Sequence, residues 1–162
     1  MSIKMITRVS AAVASAVCAL AFSTPADAAA IYARFDNVGT GKCLAVPNAS
    51  KTAGTGLIQW TCGSGSEQQW KIEEVPGGAV KITNENSQMC LAMPNASTAN
   101  GTQVIQWPCN GSSEQRWIHD SINRLRNVNS DRCLAVANSS TTNGTEVIQW
   151  TCTTNTDQQW AW

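Results

Sequence analysis

The side chains of this sequence that could carry chemistry are of three types, and each type occurs at matching positions in three segments. Cysteines could form disulfides, carboxylates could catalyse or accept hydrogen bonds, and tryptophans could offer flat apolar surfaces. The cysteines at these matching positions are Cys43, Cys62, Cys90, Cys109, Cys133 and Cys152, and a seventh, Cys18, lies in the N-terminal stretch. The acids are Glu67, Glu114 and Asp157, and the tryptophans two places before the second cysteine of each segment are Trp60, Trp107 and Trp150.

The three acids are poorly suited to glycoside hydrolysis, which needs two carboxyl groups about 5 to 9.5 Å apart. Each segment supplies one such acid, and threefold symmetry would hold the acids far from one another. Glu73 and Glu74 are neighbours, but this pair has no counterpart in the other segments. The lone histidine, His119, argues against a Ser-His or Cys-His nucleophile and against histidine-rich metal sites. The sequence predicts no enzyme, no metal and no cofactor.

These residues recur because one unit is written three times after the N-terminal stretch. The first copy has CLAVPNAS, GTGLIQWTC and EQQW, the second CLAMPNAS, GTQVIQWPC and EQRW, and the third CLAVANSS, GTEVIQWTC and DQQW. Each copy opens with an apolar residue and an asparagine two places later: Phe35 and Asn37, Ile82 and Asn84, Leu125 and Asn127. We expect one domain over residues 31–162, with repeats at about 31–78, 79–121 and 122–162.

The cysteine spacing is the same in every copy. Six cysteines allow 15 pairings, but the repetition favours one disulfide inside each repeat: Cys43 with Cys62, Cys90 with Cys109, and Cys133 with Cys152. The sequence contains no C-x-x-C pair, the motif that would indicate zinc binding or redox chemistry. The sulfurs are therefore interpreted as structural.

Short apolar runs separated by Asn, Gly, Ser and Pro predict an all-β domain. About four strands per unit gives about twelve in all. One unit is too small to bury a sheet face alone, whereas three units around an axis can share a core. Three units are also too few for a propeller, which typically has at least four blades.

The N-terminus is typical of an export signal. Lys4 and Arg8 precede an apolar run from Val9 to Phe22, which is shorter than the roughly 20 residues that a membrane-spanning helix needs. We expect a signal peptide over residues 1–28, cleaved after Ala28 with Ala30 as the second choice, and hence a secreted, extracellular protein without membrane insertion.

The charge pattern excludes a phosphate-backbone partner. The formal net charge is zero and 14% of the residues are charged, with the basic residues scattered among acids. Nucleic acid binding would need a basic face.

The sequence resembles the ricin B-chain-like, or R-type, lectin domains. The resemblance is carried by three cysteine pairs, each with a tryptophan two places before the second cysteine and a Gln-x-Trp element after it. The resemblance covers residues from about Ile31 to Trp162. It implies a β-trefoil, in which a six-stranded barrel is capped by three hairpins with pseudo-threefold symmetry. It also implies binding of galactose-type sugars, xylan or related glycans at up to three shallow sites, one per repeat.

The tryptophans fall into two groups. Those of the Gln-x-Trp element, Trp70, Trp117 and Trp160, are expected to fill the shared core together with Trp162. The resemblance places the stacking aromatic at Trp60, Trp107 and Trp150, where a rigid ring could receive the C–H face of a pyranose. The alternative is that these three rings merely cover the disulfides.

A sugar site also needs polar side chains that form hydrogen bonds with the sugar hydroxyls. At these polar positions the sequence differs from the family. In the family an Asp usually lies two residues after the first cysteine, but here that position is Ala45, Ala92 or Ala135. The position four residues before the second cysteine is usually polar, but here it is Ile58, Ile105 or Ile148. We expect the acceptor to have moved to Glu67, Glu114 and Asp157. The residues expected to assist are Gln68, Gln115 and Gln158, and Asn48, Asn95 and Asn138. The alternative is that the acids are solvated and the glutamines brace the turn.

The sequence thus predicts a secreted, non-catalytic lectin that binds glycans or polysaccharide through up to three sites, with a monomer as the working expectation. The rival interpretations are a protein-binding module of the protease-inhibitor kind and a scaffold without ligand. An inhibitory loop should be sought in Glu73 to Ala79 or His119 to Arg124, where the repeats are irregular.

Overall fold

A computed structural model describes residues 32–162 as an all-β domain. The expected signal peptide and its cleavage site lie outside the described residues. Thirteen short strands are present. They are β1 (Tyr32–Ala33), β2 (Asp36–Asn37), β3 (Cys43–Ala45), β4 (Ile58–Trp60), β5 (Trp70–Val75), β6 (Ala79–Asn84), β7 (Cys90–Ala92), β8 (Ile105–Trp107), β9 (Arg116–His119), β10 (Leu125–Asn127), β11 (Cys133–Val136), β12 (Val147–Trp150) and β13 (Trp160–Ala161).

Six strand positions close a barrel. Antiparallel ladders join β1 to β5, β5 to β6, β6 to β9 and β9 to β10. The bridge between Arg124 and Gln159 links β10 to the start of β13, which pairs with β2. β1 and β2 share one barrel position, interrupted at Arg34 and Phe35, so the thirteen observed strands fill the twelve positions that the repeats predict.

Three hairpins form the cap of the barrel: β3–β4, β7–β8 and β11–β12. One isolated β-bridge joins each hairpin to the next, such as the one between Gly56 and Ile105, and backbone hydrogen bonds such as Leu57 N–H to the carbonyl of Val104 accompany it. The threefold β-trefoil expected from the sequence is therefore confirmed.

The shared core lies inside the barrel and beneath the cap. Trp70, Trp117 and Trp160 are fully buried in it. Each indole Nε1–H donates to a buried carbonyl of a cap hairpin, namely that of Leu44, Leu91 or Leu134, at 3.0–3.1 Å. Because a buried N–H without a partner would be costly, these bonds allow the largest side chains to sit at the centre.

Trp162 corrects one expectation. It was expected in the core, but 44% of its surface is exposed. β13 ends at Ala161, so Trp162 lies beyond the last core position and packs on the end of the barrel against Phe35 and His119.

The three predicted disulfides are present. Cys43–Cys62, Cys90–Cys109 and Cys133–Cys152 each span 19 residues and join the two strands of one cap hairpin. Closing a loop of this length stabilises the folded state by roughly 3 kcal/mol in the chain-entropy model.

Two kinds of short 3-10 turn flank the cap hairpins. The first kind, here called the asparagine turns, follows the first hairpin strand at Pro47–Ala49, Pro94–Ala96 and Ala137–Ser139. The second kind, the acid turns, precedes the last barrel strand of each repeat at Ser66–Gln68, Ser113–Gln115 and Thr156–Gln158. In the described part of the chain, no helix is long and apolar enough to cross a bilayer.

Candidate functional site: three tryptophan pockets

Trp60, Trp107 and Trp150 end the second strand of each cap hairpin and are half exposed, at 46, 45 and 45%. Side chains alternate across a strand, so in each Ile-Gln-Trp sequence the glutamine points inward and is fully buried. The tryptophan then points outward. The exposure that the stacking hypothesis requires is thus present in all three repeats.

The buried glutamines clasp a neighbouring repeat. Gln59 Nε2 donates to the carbonyls of Ser140 and Thr142 in the third repeat, at 2.6 and 2.9 Å. Gln106 bonds in the same way to the first repeat and Gln149 to the second, all at 2.9 Å. Sequence reasoning missed this role, although a polar residue between two large apolar ones in every copy was a usable signal.

The clasped loop places a glycine against each tryptophan ring. A Cβ at Gly54 would lie 3.5 Å from the ring of Trp107, and the corresponding distances are 3.7 Å for Gly101 and Trp150 and 3.8 Å for Gly144 and Trp60. These glycines have φ between +80° and +85°, a conformation that disfavours other residues. Each indole is therefore fixed by a neighbouring repeat.

Two of the three junctions carry an additional polar contact. Asn143 Nδ2 donates to Thr61 Oγ1 at 2.9 Å, and Asn100 Nδ2 donates to Thr151 Oγ1 at 3.0 Å. At the junction beside Trp107 the corresponding residues are Ala53 and Pro108. The loss of the amide thus coincides with the loss of its hydroxyl partner.

Each tryptophan borders a pocket between an asparagine turn and an acid turn. The pockets beside Trp60, Trp107 and Trp150 have volumes of about 530, 490 and 210 Å³. Ala45 faces Ile58 across the β3–β4 ladder and both line the first pocket, as Ala92 and Ile105 line the second and Ala135 and Ile148 the third. The positions where the family has polar side chains are therefore apolar walls.

The predicted acids line these pockets, one in each. The backbone carbonyl of Glu67 accepts a bond from Asn84 Nδ2 of the next repeat at 3.1 Å and another from the N–H of Val46 at 3.1 Å. Glu114 is held in the same way by Asn127 and Met93, at 3.0 and 3.1 Å. Because the backbone is fixed, each carboxylate starts from a defined position at the pocket wall.

The third pocket is built differently. Val136 continues β11 and pairs with Val147, whereas its counterpart Val46 bonds to the acid turn. Asp157 is shorter than glutamate and only 8% exposed. Thr153 and Asn155 also line this pocket, where the first repeat has glycines. The cavity beside Trp150 is therefore narrower, and a separate cavity of about 400 Å³ adjoins it at Ser139, Asn155 and Asp157.

Gln68, Gln115 and Gln158 are buried and their amides are engaged with the chain. Gln68 Oε1 accepts from the N–H of Gly63 at 2.9 Å, and its Nε2 donates to the carbonyl of Thr61 at 3.1 Å. The other two glutamines make the same pair of bonds at 2.8–3.0 Å. This geometry favours bracing of the acid turn over direct contact with a sugar.

Asn48, Asn95 and Asn138 are exposed and line the pockets from the other side. Their φ angles of 51–54° lie in the left-handed region, which asparagine tolerates better than most residues. Among residues 32–162, no hydrogen bond to another protein group occupies their side-chain amides, so these amides can serve a ligand.

The groups that line the pockets are suited to binding a ligand through hydrogen bonds and stacking. One carboxylate, one amide and one indole surround apolar walls, and within residues 32–162 no Lys, Arg or His lines any of the three. The one grouping of possible metal ligands in the described chain is Asp36 with Cys43 and Cys62. Both sulfurs are joined in a disulfide, so neither can act as the thiolate that binds metals.

Comparison with known proteins agrees with this architecture. The model of the ricin-type beta-trefoil lectin domain matches residues 32–161. A designed threefold-symmetric protein, ThreeFoil, is similar with 34% identity and a TM-score of 0.77, over 80% of this chain and 95% of that one.

Two further structures show the same fold in natural proteins. An exo-beta-1,3-galactanase from Clostridium thermocellum has 28% identity and a TM-score of 0.77, over 83% of this chain but 30% of the enzyme. The C-half of the earthworm R-type lectin, solved in complex with GalNAc, has 16% identity and a TM-score of 0.65, over 80% of this chain and 95% of that one. The matched family model, together with the three repeats, shows that the chain belongs to the ricin-type beta-trefoil lectin domain family.

Proposed function

We propose that this protein is an exported lectin without catalytic activity, which binds glycan chains through the three tryptophan pockets. The observation that carries the proposal is the repetition of one arrangement: a half-exposed indole, a carboxylate and a free asparagine amide around one pocket. The family supports carbohydrate binding in general. The role of these particular residues is the proposal.

In the proposed binding mode, the C–H face of a pyranose lies on the indole of Trp60, Trp107 or Trp150. The carboxylate of Glu67, Glu114 or Asp157 accepts hydrogen bonds from a pair of sugar hydroxyls. The asparagine amide contacts the opposite edge of the ring. The glutamines of the acid turns act through the turn and do not touch the sugar.

Three weak sites suit a polymer or a dense glycan surface. Shallow single sites are expected to bind weakly, and a Kd near 1 mM would correspond to only about −4.1 kcal/mol. If two or three sites engage one chain, avidity can exceed the single-site affinity by roughly 10² to 10⁴. A free monosaccharide should therefore compete poorly with polysaccharide.

Export is part of the proposal. The charged and apolar pattern of residues 1–28 predicts it, and the three disulfides support it, because such bonds persist mainly in oxidising compartments. N-terminal sequencing of the protein recovered from the medium tests it. A mature chain beginning at Ala29 is expected, and a cell-retained chain beginning at Met1 would contradict export.

A glycan array tests the lectin function. The wild type is compared with Trp60→Ala, Trp107→Ala, Trp150→Ala and the triple variant, with Val38→Ala as a matched control at an exposed apolar residue outside the pockets. Each single change should weaken glycan binding at the altered pocket by about tenfold. The triple change should abolish glycan binding by all three pockets. Retention of polysaccharide that is unchanged in the triple variant would overturn the proposal.

A further inference from the structure

A fourth cavity lies outside the threefold pattern, at the end of the barrel. It has a volume of about 540 Å³, comparable to the pocket beside Trp60. The β5–β6 hairpin forms one wall, and His119 and Trp162 form the other. We call this cavity the barrel-end groove.

The hairpin brings both irregular segments of the sequence to this groove. Its strands are paired through Val75 and Ala79, so the segment Glu73 to Ala79 is the end of a hairpin with a three-residue turn at its tip. His119 is the last residue of β9, and the chain then turns tightly through Asp120, whose carboxylate accepts bonds from the N–H groups of Ile122 and Arg124. The groove therefore exists where the repeats depart from symmetry.

The groove shares an exposed indole, a carboxylate and aliphatic walls with the tryptophan pockets, and it has His119 where they have an asparagine. Trp162 is 44% exposed, close to the exposure of Trp60, Trp107 and Trp150. Ile72 and Val80 line the groove and pack on the core, which gives it an aliphatic floor. Glu74 supplies one exposed carboxylate.

Strand alternation explains why the Glu74 carboxylate is available. Residues 72 and 74 share one face of β5, while Glu73 lies on the other face and pairs there with Lys71 and Lys81 at 3.0 and 2.8 Å. Within residues 32–162, Glu74 makes no ion pair or side-chain hydrogen bond. Its oxygens can therefore accept bonds from hydroxyl groups of a ligand.

The indole of Trp162 is held rigidly. Its ring meets Phe35 edge-on with centroids 4.6 Å apart, and it lies against His119 at 4.0 Å with a tilt of 44°. Phe35 is fully buried, so this contact ties the indole to the core. The imidazole extends the aromatic surface and brings ring nitrogens that can hydrogen-bond to the rim of the groove.

We infer that the barrel-end groove is a fourth carbohydrate-binding site, which takes a neutral pyranose unit of a glycan chain with its C–H face on Trp162 and its hydroxyls on Glu74. The inference rests on the proposed function, because the three tryptophan pockets define the pairing of an exposed indole with a carboxylate that the groove shares. This site would lie at the opposite end of the barrel from the cap hairpins. It would give the molecule a glycan-binding site that has no symmetry-related counterpart in the other repeats.

Indole NMR signals test the inference directly, since each tryptophan has one Nε1–H and the chain has seven tryptophans. The probes are short oligosaccharides of β-1,3-galactan, xylan and mannan, titrated to millimolar concentration. The proteins are the wild type, the triple variant Trp60→Ala with Trp107→Ala and Trp150→Ala, and the triple variant carrying Glu74→Gln. Glu85→Gln in the triple variant is the matched control at an acid outside the groove.

In the triple variant, at least one probe should still shift the Trp162 signal, and Glu74→Gln should weaken that response at least severalfold while Glu85→Gln leaves it unchanged. Survival of the other indole signals shows that each variant is folded. If probes shift the signals of Trp60, Trp107 and Trp150 in the wild type but never that of Trp162, the fourth site is overturned and the proposed function stands. If no probe shifts any indole signal, both fall together.

Discussion

The side-chain amide of Asn84 donates a hydrogen bond to the backbone carbonyl of Glu67, 3.1 Å away and across the boundary between the first and second repeats. Asn127 makes the same bond to Glu114 at 3.0 Å, and Asn37 to Asp157 at 2.8 Å. The asparagine that opens each repeat thus positions the acid of the repeat before it. The third bond joins the two ends of the domain.

Replacing Asn84 with alanine should weaken the first pocket through the position of Glu67. The change also removes the Oδ1 that accepts the N–H groups of Asn86 and Ser87, at 3.1 and 3.2 Å. Leaving buried groups unpaired should cost about 1–3 kcal/mol of unfolding free energy, which urea denaturation measures. In a glycan titration, the response of the Trp60 indole should weaken and that of Trp107 should not. Equal weakening at both would contradict local positioning.

The third pocket should contribute least to binding. Beside Trp150 the volume is about 210 Å³ against about 530 Å³ beside Trp60, and the adjoining cavity of about 400 Å³ does not reach the Trp150 ring. Asp157 is also nearly buried. Trp150→Ala should therefore reduce polysaccharide retention by less than Trp60→Ala does, with affinity chromatography as the measurement. Since both rings are equally exposed, the two variants serve as controls for each other. A larger loss from Trp150→Ala would show that pocket volume does not govern these sites.

Acidic polysaccharides should bind more weakly than neutral ones of the same backbone. Each pocket wall carries one carboxylate, and no basic residue of the described chain lines a pocket. At low salt, repulsion of about 1 kcal/mol between unit charges near contact in water corresponds to roughly a fivefold deficit. Retention on polygalacturonate and on its methyl ester, which is neutral and has the same backbone, measures it, and the deficit should shrink as salt screens the charges.

The variant Glu67→Gln with Glu114→Gln and Asp157→Asn is the control for that comparison. It removes the charge and keeps the shape, so the deficit for the acidic polymer should largely disappear. A wild type that prefers polygalacturonate would contradict the assignment of the acids to the sugar contact.

Glu73 should stabilise the β5–β6 hairpin in a pH-dependent way. Hydrogen bonds from Lys81 and then Lys71 hold the pKa of Glu73 below its ordinary value of 4.5, although burial opposes this effect. A lowered folded-state pKa means that the stabilisation is complete above the unfolded-state pKa and is lost as the pH falls through the folded-state value. Glu73→Gln should cost less than about 1 kcal/mol at neutral pH, because the pair is partly solvated.

Urea denaturation of the two proteins at neutral pH and near pH 2 checks this dependence. The difference between wild type and Glu73→Gln should shrink at the acidic end, as the pH falls toward and through the lowered folded-state pKa of Glu73. A difference that persists unchanged in acid would mean that packing, and not charge, explains the effect.

The repeated pattern made the fold predictable. Cysteines at one spacing, together with Trp70, Trp117 and Trp160 in phase with them, leave few ways to bury three equivalent units, and the structure has the threefold arrangement that follows. The half-exposure of Trp60, Trp107 and Trp150 also follows from strand alternation, because a fully buried glutamine precedes each ring.

Contacts between repeats were not predictable from the pattern. That Gln59 reaches Ser140, or that Gly54 lies beside Trp107, depends on which unit neighbours which in space, and identical copies give no information about this order. Trp162 was misplaced for a related reason, since it follows the last Gln-x-Trp element and has no counterpart in the other repeats. The pocket at Trp150 differs through Val136, whose pairing with Val147 depends on backbone register.

The glutamine clasps all turn in one rotational sense, from the first repeat to the third, the third to the second, and the second to the first. These contacts form a closed cycle with no first or last repeat. The peptide links between repeats hold the units near one another, but the glutamine contacts do not depend on where those links lie. A circularly permuted gene that opens one link and fuses the present ends should encode the same domain. A single unit made as a peptide would need two more copies of itself to complete the cycle.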